Sequence, residues 1–324
     1  MTNKDHSPLL RGVLSSVYQS ALPIEAGKVY EVPGTEPVDP EQFGMSVVTM
    51  DGISFNEGDT DTKFALQSAS KPFSLAVALT EMGDATVFEQ VGVEPSGEAF
   101  NSINLPGGKA PNPLVNSGAL TVAALLIERW GDSAPEKLLS SLSGFAGADL
   151  EVDHQLWESE VKSDYRNWAI SYLLKANGIV DDVEKTIRLY LMACSVQVTT
   201  SELATMSATL ANIGKNPITN VQVLDPESVR STVSIMCTCG AYDYAGMWMK
   251  EVGLPMKSGV SGCITALVNR QLGVGLWSPR IDDIGNSPRG IAACRGLSEE
   301  LGLHFLDPSN IGSSVFDAFL QENQ

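Results

Sequence analysis

The sequence predicts an α/β fold of the α+β kind: an antiparallel sheet assembled from both chain ends and flanked by helices, with an all-helical lobe inserted between them. Three observations predict it. First, FGMSVVTMDGISFNEGD (43–59) holds two β-prone runs about Asp51-Gly52, a dipeptide suited to a tight hairpin turn. Second, SGCITALVN and LGVGLWSP (261–279) form another strand pair, joined at Arg270-Gln271. Third, the intervening chain is dominated by apolar residues at helical spacing. The expected division puts the α/β part at about residues 1–80 plus 225–324 and the helical lobe at about 81–224, within a single domain over 1–324. A cleft is expected between the two parts.

Taken in order, SPLLRGVLSSVYQSA (7–21) reads as an amphipathic helix behind a few frayed residues, and GKVYEVPGTEPVDPEQ (27–42) as a Pro-, Gly- and acid-rich loop. After the hairpin, FALQSASKPFSLAVAL (64–79) opens on an extended apolar piece and closes as a helix. Residues 101–116 (NSINLPGGKAPNPLVN) are too rich in Pro, Gly and Asn to be regular. ALTVAALLIERWG, APEKLLSSLSG, NWAISYLLKANG, VEKTIRLYLMACS and SELATMSATLANIG are helices, most of them stopped by Gly. DPESVRSTVSIMCTC resumes helix, with Asp225 ahead of Pro226 as a capped first turn, and NSPRGIAACRGLSEELG closes the fold. Asp51, Asp225 and Asp307 read as turn or cap residues.

Composition narrows the function classes. A chain of 324 residues, 43% hydrophobic and 19% charged, can bury a sizeable core. Its net charge of −18 repels phosphate backbones and anionic lipid, so neither nucleic acid nor a membrane is an expected partner. No stretch reaches transmembrane length, and the first residues lack a secretory core, which points to the cytoplasm. Five scattered cysteines fit reduced thiols there. Cys237 and Cys239 form C-x-C without a second pair, and the histidines are only His6, His154 and His304, so a zinc site is disfavoured.

Ser68 and Lys71 form S-x-x-K where the extended piece turns into helix, a spacing that sets the two side chains on one face. Free backbone N–H groups and the helix dipole favour an alkoxide there and disfavour a charged lysine, so a neutral Lys71 can act as base. A second S-x-x-K, Ser159 and Lys162, lies among charged residues with no strand before it. Lys257-Ser258-Gly259 precedes a strand, and S-x-x-K followed by a late K-[ST]-G is the pairing of serine β-lactamases and penicillin-binding proteins. In isolation, KSG reads equally as a basic surface turn.

The stretches GDTDTKFALQSASKPFSLAVAL, NPLVNSGAL, YLMACSVQVTTSELATMSATLANIG, MCTCGAYDYAG, GLPMKSGVSG and SPRIDDIGNSPRGIAACRGLSEELGLH resemble, in that order, the motifs of glutaminases. The resemblance spans about residues 25–305. It implies a serine β-lactamase-like fold, a single catalytic domain and cofactor-independent hydrolysis of L-glutamine to L-glutamate and ammonia. By that resemblance Ser68 is the nucleophile and Lys71 its base. The backbone N–H groups of Ser68 and Val260 form the oxyanion hole, and Tyr242 and Tyr30 serve proton transfer. Glu160 receives the substrate amine, and Asn116, Asn167 and Tyr190 the α-carboxylate. A homodimer or homotetramer is also implied, and no ankyrin-type extension follows Leu306. The sequence departs from the pattern at Ser261 and Cys263, where glycine is usual, and Pro72 disfavours helical geometry at Lys71.

Each residue has a plainer reading. Asn116 fits a helix cap, Glu160 and Asn167 a solvated helix face, and Tyr190 a core position. Tyr242, among Gly and Asp at a loop tip, is the better candidate for function. Another serine hydrolase of this fold, a β-lactamase or an esterase, and a non-catalytic glutamine-binding protein remain open alternatives.

Overall fold

The structure is a computed structural model that describes residues 7–32, 35–97 and 102–307. The frayed start, His6 and Asn101 at the head of the Pro-rich loop lie outside them. Helix α1 (Ser7–Ala21) leads to strand β1 (Lys28–Val29), the hairpin β2 (Gly44–Thr49) and β3 (Ser54–Gly58), and the short β4 (Phe64–Ala65). Then come α2 (Lys71–Gln90), α3 (Asn116–Trp130), α4 (Ala134–Ala146), β5 (Glu151–Val152), α5 (His154–Ser163), α6 (Tyr165–Ala176) and α7 (Val183–Cys194). The chain closes through β6 (Val196–Val198), α8 (Thr200–Ala211), α9 (Pro226–Cys239), α10 (Ala245–Glu251), β7 (Met256–Ser258), β8 (Cys263–Val268), β9 (Leu272–Trp277), β10 (Arg280–Ile281) and α11 (Pro288–Leu301).

The main sheet runs β3-β2-β9-β8-β7, every pairing antiparallel, so its strands come from both chain ends as expected. Gly52 takes the left-handed backbone that turns the first hairpin, and Asp51 there accepts from the Thr49 hydroxyl. One sheet face is sealed by α1, α10 and α11, whose Leu14, Val17, Trp248 and Leu297 pack against Met45, Ile264 and Leu276. A larger apolar cluster joins α2, α3, α4 and α7. Helix starts follow local chemistry: Asp153, Asp164, Asp182, Thr199, Asp225 and Ser287 each accept backbone N–H groups of the first turn of α5, α6, α7, α8, α9 and α11.

Two expectations need correction. Helix α8, assigned to the helical lobe by its place in the chain, lies directly on the sheet. Gly273 and Gly275 of β9 let it approach so closely that a Cβ at either would fall 2.1 Å from Ala208 N or 2.3 Å from Thr200 O. Hydroxyl pairs Ser46–Thr200 and Ser207–Thr265 bridge the contact. Similarly, α2 runs across the division expected at residue 80. Pro72 does not disturb Lys71, which is helical at φ −58°, ψ −48°, because the proline sits in the first turn where its missing N–H has no helical acceptor.

Candidate active site

Strand β4 does not join the main sheet but pairs with β6, which fixes the approach to the nucleophile turn. Gln67–Ser70 form a 3-10 turn between that strand and α2, entered through Gln67 at φ +48°, a backbone that side chains other than glycine rarely adopt. The Lys71 N–H donates to the Ser68 carbonyl, closing the turn that carries both residues. Both are buried, Ser68 6% and Lys71 2% exposed. Gly259 locks the late motif to this turn, since a Cβ there would fall 2.6 Å from the Leu66 carbonyl oxygen and 2.8 Å from Cys263 Sγ. That contact is why K-S-G needs its glycine.

Lys257 is 0% exposed, which removes the surface-turn reading of KSG. Its Nζ donates to the carbonyls of Gly240 (3.1 Å) and Ser258 (2.9 Å) and lies 3.8 Å from the centre of the Tyr242 ring. Burial, aided by the nearby Lys71 charge, pushes Lys257 well below the ordinary lysine range. Tyr242, at φ +54°, donates to the Ser258 carbonyl (3.2 Å). Burial pushes it up to about 12, partly offset by the neighbouring Ser68 and Ser258. Tyr242 therefore stands half-buried at the start of a 3-10 turn (Tyr242–Tyr244), with its phenol beside Ser68 and Ser258. Val260 follows in the turn closed by the Gly262 N–H to Gly259 O bond (2.9 Å).

On the helical side, Lys71 Nζ donates to Asn116 Oδ1 at 2.6 Å, and Tyr190 OH reaches the same oxygen at 3.5 Å. Asn116 Nδ2 donates to Asn167 Oδ1 (3.0 Å), and Asn167 Nδ2 to Asp164 Oδ2 (2.5 Å). Asn116 is the first residue of α3 and does not cap it, while Asn112 Oδ1 takes the Leu114 and Val115 N–H groups in the turn ahead of the helix. Burial holds Lys71 down to about 8, against the upward pull of Cys194 and Asp164, and drives Tyr190 well above the phenol range. Glu160, at 7% exposure, and Asn167 are buried, so neither lies on a solvated face. The break between α5 and α6 at Asp164 turns both inward.

Glu160 Oε1 accepts from Gln67 Nε2 at 2.8 Å, while its buried Oε2 accepts no hydrogen bond among the described residues. Burial pushes this carboxyl up to about 7, opposed by the Gln67 bond. Tyr30, 52% exposed, stands at the rim with its phenol raised first by burial and next by Glu160. Two hollows flank the constellation. One, of about 540 Å³, is bordered by Tyr30, Gln67, Leu156 and Ser261. The other, of about 630 Å³, is bordered by Asn112, Val115, Thr238 and Tyr242.

Every site residue singled out in the sequence thus borders one neighbourhood, whereas Lys162 of the second S-x-x-K is exposed. Gln67 and Asp164 join the site without a reading in the sequence: Asp-x-x-Asn at a helix start is the signal for Asp164, and Gln67 has only its place before the serine. Among the described residues no cluster of three His, Cys, Asp or Glu side chains could hold a metal ion, and all five cysteines are unpaired. No helix among them is long and apolar enough to cross a membrane.

A family model, Glutaminase, matches residues 27–306. Glutaminase 1 of Bradyrhizobium diazoefficiens is 42% identical over 305 residues, covering 94% of this chain but 50% of the relative, so the chain spans about half the length of that protein. The glutaminase of Microcystis aeruginosa is 40% identical over 301 residues, covering 92% of this chain and 89% of the relative. The crystal structure of Mglu in its glutamate form superposes with a TM-score of 0.87 at 36% identity, covering 94% of this chain and 71% of that one. The late sheet, the S-x-x-K turn and the KSG strand therefore sit in a serine β-lactamase-like fold, and the chain belongs to the glutaminase family.

Proposed function

We propose that this chain hydrolyses L-glutamine to L-glutamate and ammonia through an acyl-enzyme on Ser68. The observation that carries the reading is a buried Glu160 whose Oε2 accepts no hydrogen bond among the described residues, in the same site as a lysine whose pKa burial lowers to about 8 beside the Ser68 turn. A carboxylate in such a position favours an ammonium group. The glutamate form of Mglu gives this family a member with the product's ligand chemistry.

In this mechanism neutral Lys71 takes the Ser68 proton as Oγ attacks the side-chain amide carbon, and the Ser68 and Val260 N–H groups receive the oxyanion. Tyr242 hands a proton to the leaving nitrogen and is reprotonated by Lys71, so ammonia departs and the lysine is neutral again. Water then attacks the acyl carbon and loses a proton to Lys71, which returns it to Ser68 Oγ as glutamate leaves. Glu160 faces the α-ammonium; Asn116, Asn167 and Tyr190 face the α-carboxylate; Tyr30 covers the mouth. The net charge of −18 does not oppose a zwitterion, whose two charges cancel at long range. No cofactor enters these steps. We also infer a cytoplasmic homodimer or homotetramer, supported by the unpaired thiols and by Tyr165 and Tyr172 exposed on α6.

Ammonia release from glutamine by purified protein tests the reading. Wild type is expected to turn over and, when quenched, to carry a glutamyl adduct on Ser68, while Ser68→Ala folds and is inert. An active Ser68→Ala protein, or turnover of a chromogenic β-lactam without glutamine, overturns it; binding with no adduct marks a mere glutamine-binding protein.

A further inference from the structure

We propose that Asp164 is a positioning residue that fixes the direction of a side-chain relay ending on Lys71, and thereby keeps the lysine's lone pair available to Ser68. The inference rests on the Ser68–Lys71 reading above and extends it to a residue that touches neither.

The relay is continuous. Asp164 Oδ2 accepts from Asn167 Nδ2 (2.5 Å), Asn167 Oδ1 accepts from Asn116 Nδ2 (3.0 Å), and Asn116 Oδ1 accepts from Lys71 Nζ (2.6 Å). An amide can face either way, because its oxygen only accepts and its nitrogen only donates. An ionised carboxylate only accepts, so it removes that choice at the first link. With Asn167 Nδ2 committed to Asp164, Asn167 Oδ1 must face Asn116, and Asn116 Oδ1 must face the lysine. The backbone bond from Asn167 N to Asp164 Oδ1 (3.1 Å) holds the carboxylate in place at the start of α6. Tyr190 OH, aimed at the same Asn116 oxygen, agrees with that direction.

The direction matters for a base. A neutral amine has two hydrogens and one lone pair. When it meets an amide oxygen it spends a hydrogen and keeps the lone pair. Reversed, Asn116 would present Nδ2, and the lysine could only bond it by accepting, which occupies the electrons that must remove the Ser68 proton. The same polarity leaves the second hydrogens of Asn116 and Asn167 Nδ2 for the substrate carboxylate. The ionisable groups around Lys71 are Tyr190 and Cys194 of α7, Glu160 of α5, Asp164 and, from β7, Lys257; of these Asp164 alone terminates the relay.

Asp164→Asn tests this. Asparagine caps helices as well as aspartate, so α6 keeps its start. The new amide can turn a donor toward Asn167 Nδ2, and the relay is free to reverse. Asp164→Ser, also a good cap, removes the charge and the second oxygen, and carries the test if Asp164→Asn does not fold. Both variants are expected to lose about 10²-fold in kcat/KM at unchanged melting temperature. The acid limb of the remaining activity moves to lower pH, because Asp164 raises the Lys71 pKa. Wild-type kcat with the limb unmoved overturns the inference, as does a loss of activity that merely follows a fall in melting temperature. Phosphonylation of Ser68 by a small fluorophosphonate, read against pH, needs no glutamine turnover. If wild type reacts but does not hydrolyse glutamine, the proposed function fails and this inference stands on the probe. Equal probe rates in wild type and Asp164→Asn sink this inference alone.

Discussion

Lys71 and Glu160 mark two ends of one buried site, and burial acts on them in opposite directions. It lowers the lysine to about 8 and raises the carboxyl to about 7, so each is brought toward neutrality. Their partners differ. Lys71 Nζ is held by Asn116 at the end of a relay, whereas Glu160 has one oxygen on Gln67 and the other without an acceptor bond among the described residues. The lysine end is therefore built for a proton and complete in itself. The carboxylate end is built for a cation and is completed by what it binds.

The largest effect that would sharpen this contrast is Lys71→Met. Without the base, kcat should fall roughly 10³- to 10⁴-fold, measured by ammonia release. The same variant should melt at a higher temperature at pH 7. The folded-state pKa of about 8 lies below the ordinary 10.5, so between pH 8 and 10.5 the unfolded chain binds a proton that the folded chain does not, and below pH 8 the folded chain must bury the charge. Linkage makes this a cost to the native state on the order of 3 kcal/mol, constant below pH 8 and vanishing as pH rises toward 10.5. The advantage of methionine should shrink over that window. A variant less stable than wild type at pH 7 would mean that burial does not disfavour the charged lysine, and the contrast between the two ends would break.

How far the sequence reveals this contrast depends on the kind of information each feature needs. The sheet was legible because Asp51-Gly52 and Arg270-Gln271 punctuate β-prone runs, a local signal. The position of α8 was not, because it depends on two glycines of β9, more than sixty positions away, that remove the bulk between helix and strand. Ser68 and Lys71 could be found by spacing. Glu160 and Asn167 read as a charged face because their neighbours are charged; only the break at Asp164, between two helices, turns them inward. Asn116 fits a cap by residue preference, but it is the first residue of α3 and its side chain is taken up by Lys71 and Asn167. Family resemblance supplied the roles of these residues where periodicity had none to give.

Glu160→Gln should have an intermediate effect concentrated in KM. A neutral amide keeps the shape but loses the charge facing the substrate amine, so KM is expected to rise roughly 10²-fold with a much smaller change in kcat. The pH dependence separates the two ends further. In wild type kcat/KM requires Glu160 ionised and Lys71 neutral, so it should climb across two successive acid limbs, near 7 and near 8. In Glu160→Gln only the limb near 8 should remain. Persistence of both limbs would assign the lower one to another group.

The smallest effect should come from Gln67→Ala, and it isolates the link between the nucleophile turn and the carboxylate. Gln67 already sits at φ +48°, so alanine adds no backbone strain that glutamine did not bear. What is lost is the 2.8 Å bond to Glu160 Oε1, which lowers this carboxyl's pKa. Two consequences follow from that one deletion. The carboxylate is less firmly aimed, raising KM by about tenfold, the scale of one hydrogen bond to a charged group. Its pKa rises further, so the lower limb of kcat/KM moves to higher pH and crowds the lysine limb, while kcat above pH 8 stays near wild type. A drop in kcat at high pH would instead mean that Gln67 shapes the Ser68 turn itself, and that the two ends are not separable.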